Sequence, residues 1–157
     1  MKTTNQLLCL MVLALFSIST KSISQETIYL TLTVDTSQIT HQDSYQYCSF
    51  EGQEAGTDTR VYTINANIGD TIIWHGVSSS SPNSDVVNIT SINYQGGTNV
   101  FGRNVLQGEG GTVTGSVQYD TAGREDYKYV ISFKVENASN SRPGTYHVDP
   151  KIKVGGQ

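Results

Sequence analysis

From Tyr127 to Glu136 every second residue is large and apolar. Tyr127, Tyr129, Ile131, Phe133 and Val135 lie on one side of an extended chain, with Lys128, Ser132, Lys134 and Glu136 on the other. A period of two marks a strand buried on one face, because successive side chains leave opposite sides of the pleat. The same period recurs at Ile28, Leu30, Leu32 and Val34, at Tyr62, Ile64 and Ala66, and at Ile72 and Trp74. It returns at Val113, Val117 and Tyr119, and again at Tyr146, Val148, Ile152 and Val154. No apolar stripe follows helical spacing. Strands are therefore expected over 27–34, 61–66, 71–75, 86–94, 112–119, 127–136 and 145–154, about seven in all, with 86–94 the least cleanly patterned. Gly- and Asp-containing connectors such as Asn67-Ile-Gly-Asp70 and Asp120-Thr-Ala-Gly123 supply the turns. Short, regularly spaced strands of this kind predict an all-β fold, a two-sheet β-sandwich.

The first residues have a different character. Lys2 precedes an apolar run from Leu7 to Phe16, and small residues at Ser22-Ile-Ser24 lead to Gln25. That pattern predicts a secretory signal over residues 1–24 and a single domain over 25–157, exported to the periplasm or the exterior. The apolar run falls short of the roughly 20 residues a membrane-spanning helix needs, so no membrane insertion is expected. Lys2 and Lys21 fall in the signal, leaving 8 basic against 14 acidic residues and a formal charge of −6. Such a balance works against binding phosphate backbones, and no nucleic-acid partner is expected.

Three connections are longer than hairpins require. The segment 35–60 carries Cys48 among Tyr45, Tyr47 and Phe50, and a short extra strand is expected within 44–50. The segment 76–85 contains four consecutive serines, and 95–111 contains six glycines around Phe101 and Leu106. Cys48 is the one cysteine outside the signal, which excludes an internal disulfide in the exported domain. Its aromatic neighbours point to a buried thiol.

Catalytic signatures are absent. There is no Gly-x-Ser-x-Gly elbow and no His-Glu-x-x-His pair, and scattered acids at irregular spacing do not build a calcium loop. A non-enzymatic binding role fits better. Tyrosine offers a flat apolar face with a polar tip, and Tyr45, Tyr47 and Tyr94, with Phe101, are the candidate ligand contacts for a protein or glycan partner. As an alternative, His75 with Cys48 or His147 would give the imidazole and thiolate donors that suit copper(I) or zinc. A third possibility is a structural protein that self-assembles through an exposed edge strand or a Cys48–Cys48 bridge.

Two segments, Ile68-Gly-Asp-Thr-Ile-Ile-Trp74 and Pro143-Gly-Thr-Tyr-His-Val148, resemble hallmark segments of cupredoxins of the plastocyanin and azurin type. The resemblance runs in order from about Ile28 to Val154 and implies a cupredoxin-like fold. It also implies where copper would sit, and this chain departs there. A type 1 site needs two imidazoles, a thiolate and usually a weak thioether. Copper-binding members carry the first histidine just before the strand equivalent to 86–92, where this chain has Asn83-Ser-Asp85. Their Gly-Thr-Tyr strand runs into a loop with Cys, His and often Met, whereas here His147-Val-Asp-Pro150 passes straight into Lys151-Ile-Lys-Val154. The expectation is a cupredoxin-like domain without type 1 copper and with no cofactor.

Overall fold

The alternating segments are strands, and they assemble into two mixed sheets. The computed structural model describes residues 24–137 and 144–155, so the expected signal over 1–24 lies, but for its last residue, outside the described part. Among the described residues there are ten strands: β1 (Thr27–Val34), β2 (Cys48–Phe50), β3 (Thr63–Ala66), β4 (Thr71–Ser78), β5 (Asp85–Gly96), β6 (Val105–Gln107), β7 (Val113–Ser116), β8 (Tyr127–Asn137), β9 (Tyr146–Val148) and β10 (Lys151–Val154). Sheet A has the order β2-β1-β4-β7, and sheet B the order β3-β10-β8-β5-β6 with β9 also paired to β8. The arrangement is all-β and fits a two-layer sandwich.

The count exceeds the seven read from periodicity for three physical reasons. The expected strand over 145–154 breaks at Pro150, which has no N–H for a ladder, into β9 and β10, both docked on the same side of β8. β2 is the short strand expected within 44–50. β6 arises in the glycine-rich connection, where only three residues pair with β5 and no alternation is long enough to register in sequence.

Two parallel pairs organise the sheets. β1 runs alongside β4 over its full length, Thr27 opposite Thr71 through Val34 opposite Ser78. β3 runs alongside β10 from Thr63 opposite Lys151 to Ala66 opposite Val154. Between β3 and β4, Gly69 takes a φ of +93°, a conformation open to glycine. Asp70 is buried there, and its carboxylate accepts from the N–H groups of Asn67 (2.7 Å) and Glu26 (3.0 Å). One side chain thus closes the turn and fixes where β1 enters its sheet.

The inner faces meet over the residues the alternation singled out. Leu30, Leu32, Val34, Ile72 and Trp74 of sheet A pack with Ile89, Tyr127, Tyr129, Ile131, Phe133 and Ile152 of sheet B in one core. Trp74 and Tyr129 join the two layers directly. The indole Nε1–H donates to the Tyr129 hydroxyl at 3.2 Å, and the rings meet edge-on at 5.9 Å. Tyr119, expected to share the inward side with Val113 and Val117, is exposed instead, because β7 ends at Ser116.

Replacing Tyr129 by Phe keeps the ring and strands the buried indole N–H. A loss of about 1–3 kcal/mol of stability follows from the unpaired donor. Urea unfolding followed by the fluorescence of Trp74, the sole tryptophan, measures it; an unchanged midpoint would show that the bond contributes nothing.

Candidate functional site

The main concavity lies where the connections flanking β2 fold against the ends of β1 and β4. A groove of about 640 Å³ is walled by Thr33, Asp35, Tyr45, Tyr47, Gln53 and Glu54, with Cys48 and Phe50 at its back. Its shape rests on local hydrogen bonds. Asp35 accepts from the backbone N–H (3.1 Å) and hydroxyl (2.7 Å) of Ser37, closing the turn after β1. Buried Thr36 joins the hydroxyls of Ser78 (2.7 Å) and Ser80 (3.1 Å). The four-serine segment is therefore bound to the β1 side of the groove. On the other wall, Gln53 Oε1 accepts from the Phe50 N–H (3.0 Å) and its Nε2 donates to the Thr57 carbonyl (2.7 Å), which holds the 51–57 loop in place.

A 3-10 turn, Ser44–Tyr47, presents the two tyrosines. The Ser44 hydroxyl donates to the His147 carbonyl and anchors the turn to β9. The Arg60 guanidinium lies 3.7 Å from the centre of the Tyr45 ring and forms a two-pronged ion pair with Asp58. Hydrogen bonds from Arg60 hold the Asp58 carboxyl below its usual range, and the Ser37 hydroxyl does the same for Asp35. Both remain ionised well below neutral pH. The groove therefore offers the uncovered parts of two half-buried tyrosines, amides and carboxylate acceptors, with Arg60 stacked on Tyr45 and paired with Asp58.

The structure separates the remaining candidates. Phe101 is core rather than a ligand contact. It is 2% exposed and wedged edge-on against Trp74 (5.7 Å) and Tyr127 (5.1 Å). Tyr94 is half-buried, stacked on Tyr127 at 5.6 Å with its hydroxyl donating to the Gly97 carbonyl (2.6 Å), which fastens the glycine-rich connection. Neither belongs to the groove.

The three metal-ligand candidates do not converge. His75 sits opposite Thr31 on the outer face of sheet A, with Nε2 and the Thr31 hydroxyl 3.1 Å apart. Cys48 sits opposite Val34, an odd number of residues from Thr31, and so points to the inner side of the same sheet. His147 faces outward on sheet B, its Nδ1 3.2 Å from the Ser132 hydroxyl. Among the described residues no group of three His, Cys, Asp or Glu side chains is placed to hold a metal ion. Sequence reading missed Arg60 and Gln53. Arg60 lies 15 residues from Tyr45, and no local pattern brings the two together.

No protein-family model matches this sequence, and no curated protein matches it. Among solved structures the fold is similar to that of the inclusion body protein PixA from Burkholderia cenocepacia, with a TM-score of 0.59 and 14% identity over 87% of this chain and 99% of that one. At that identity the likeness concerns the fold alone. No described helix is long and apolar enough to cross a membrane.

Burial pushes the Cys48 thiol from 9.0 to about 12. In a Cys9→Ser background, the native protein at pH 8 is expected to leave Cys48 unmodified by a disulfide reagent and to react with one equivalent on denaturation. The unfolded thiol ionises first as pH rises, so this group's contribution to stability is full below pH 9 and is lost between pH 9 and 12. Rapid modification of the folded protein would show that the thiol is accessible.

Proposed function

We propose that this chain is an exported, non-catalytic binding module of cupredoxin-like, Greek-key type, lacking type 1 copper, and that it takes its protein or glycan ligand in the groove beside β2. The observation that carries this reading is the placement of Tyr45 and Tyr47 on one wall of a 640 Å³ groove. Tyr45, under the Arg60 guanidinium, and Tyr47, resting on the core, contribute half-buried rings with polar tips, and the amides and carboxylates around them accept hydrogen bonds from hydroxyl or amide groups. With Asp35 and Asp58 ionised and Arg60 already paired, the groove disfavours anionic ligands. The cupredoxin resemblance is supported by the Gly69–Asp70 turn leading into β4, and the export reading by the sequence of residues 1–24.

Two other readings have less support. A copper(I) or zinc site built from His75 with Cys48 or His147 would require His75 to meet a side chain on the opposite face of its sheet or one on the other sheet. Self-assembly is the idea raised by the inclusion-body name of the similar structure. A Cys48–Cys48 bridge would have to draw on a buried thiol. The outermost strands β2, β7, β3 and β6 have only three or four residues each, which blunts edge-to-edge pairing.

Screening the purified protein on glycan and peptide arrays identifies the ligand set. The double variant Tyr45→Ala/Tyr47→Ala is expected to lose about tenfold or more in affinity for that set while melting cooperatively. A folded double variant that binds the same set unchanged would remove the groove from consideration.

A further inference from the structure

Thr33 and Ser49, which line one end of the groove, also belong to the outer face of sheet A. That face reads across the strands in rows: Thr33 beside Ser49 and Val77, Thr31 beside His75, Tyr29 beside Ile73 and Thr114, and Thr27 beside Thr71 and Ser116. None of these outward positions is Lys, Arg, Asp or Glu. At the margin Glu51 accepts from the Thr31 hydroxyl at 3.1 Å. Sheet B is the opposite case, since every described lysine, Lys128, Lys134, Lys151 and Lys153, lies on it at positions alternating with its core residues. An acidic chain with 14 carboxylates thus keeps formal charge off the outward strand positions of this sheet, the Glu51 carboxylate reaching Thr31 from the margin. On that face Tyr29 is 67% exposed.

We infer that the groove and this face form one continuous surface for a neutral, extended polysaccharide. The inference rests on the binding-module reading and names its ligand class. Three features select that class. Outward strand positions without charges can be desolvated without stranding an ion, so they suit an uncharged partner, while the marginal Glu51 carboxylate keeps its bond to Thr31. Regularly spaced threonine and serine hydroxyls donate and accept, as sugar hydroxyls do, and Tyr29 supplies a ring face for the C–H side of a pyranose. The dimensions favour a thin chain over a second copy of the protein. Eight residues of β1 and four strands span roughly 26 Å by 14 Å, and that footprint is about half of the roughly 800 Å² per partner that a standard interface buries.

The test uses full-length protein purified after expression, with insoluble cellulose, chitin and β-mannan as neutral probes and alginate gel as the anionic one. The expected result is retention on at least one neutral polymer that persists in about 1 M salt, where exposed charges are screened. Tyr29→Ala and Thr31→Lys should each weaken it about tenfold at an unchanged melting temperature. Retention on none of the three, retention on alginate alone, or equal retention by Tyr29→Ala would each overturn the inference. So would a concentration-dependent dimer in sedimentation that Tyr29→Ala dissolves, which would assign the face to a second copy. Peptide binding that depends on Tyr45 and Tyr47, with no polysaccharide retained, would leave the groove reading standing and remove only this extension.

Discussion

The contact between Trp74 and Tyr129 is the point on which both layers depend. Each ring is essentially inaccessible, and their hydrogen bond, at 3.2 Å, is a direct polar link across the core. Buried polar groups need partners, so this bond fixes the sheets in a single relative placement where apolar side chains alone would tolerate several. Phe101 and Tyr127 extend the aromatic cluster and draw the glycine-rich connection onto it. Gly97 shows how closely that connection approaches: a Cβ there would lie 1.9 Å from the Asp126 carbonyl oxygen.

Fixing the layers also fixes what each outer face presents. Because side chains alternate, burying Ile72 and Trp74 commits Ile73 and His75 to solvent, and burying Leu30 and Leu32 commits Tyr29 and Thr31. The full-length parallel register of β1 with β4 then aligns these outward residues into cross-strand rows. The same logic keeps Cys48 inside and His75 outside, on opposite faces of one sheet. The uncharged outward strand positions of sheet A and the lysine-bearing face of sheet B are therefore consequences of how the core is filled.

The groove has a different origin. It depends on side chains that tie irregular backbone together: Asp35 with Ser37, Thr36 with Ser78 and Ser80, Gln53 with Phe50 and Thr57, and Ser44 with the β9 carbonyl. Long connections that are fastened in this way can hold a binding surface steady while the strands supply the scaffold. Its amides and carboxylates accept hydrogen bonds, which the hydroxyls of the ligand proposed for the adjoining sheet would donate.

Much of the fold is legible in the chain itself. Alternation at Tyr127–Val135 and Leu30–Val34 identifies strands and core because the period of two is local geometry, set by adjacent residues. The Gly69–Asp70 turn and the buried state of Cys48 are legible for related reasons, a conformational demand and an apolar neighbourhood. What tertiary structure alone decides is partnership. Periodicity tells which side chains share a face, but not that β1 lies beside β4 or that Arg60 covers Tyr45. An apolar ring in a glycine-rich connection favours the core reading of Phe101 over a ligand contact, and only the Trp74 and Tyr127 rings placed around it show what it packs against. Those outcomes depend on contacts between residues far apart in sequence, where no local pattern carries the information.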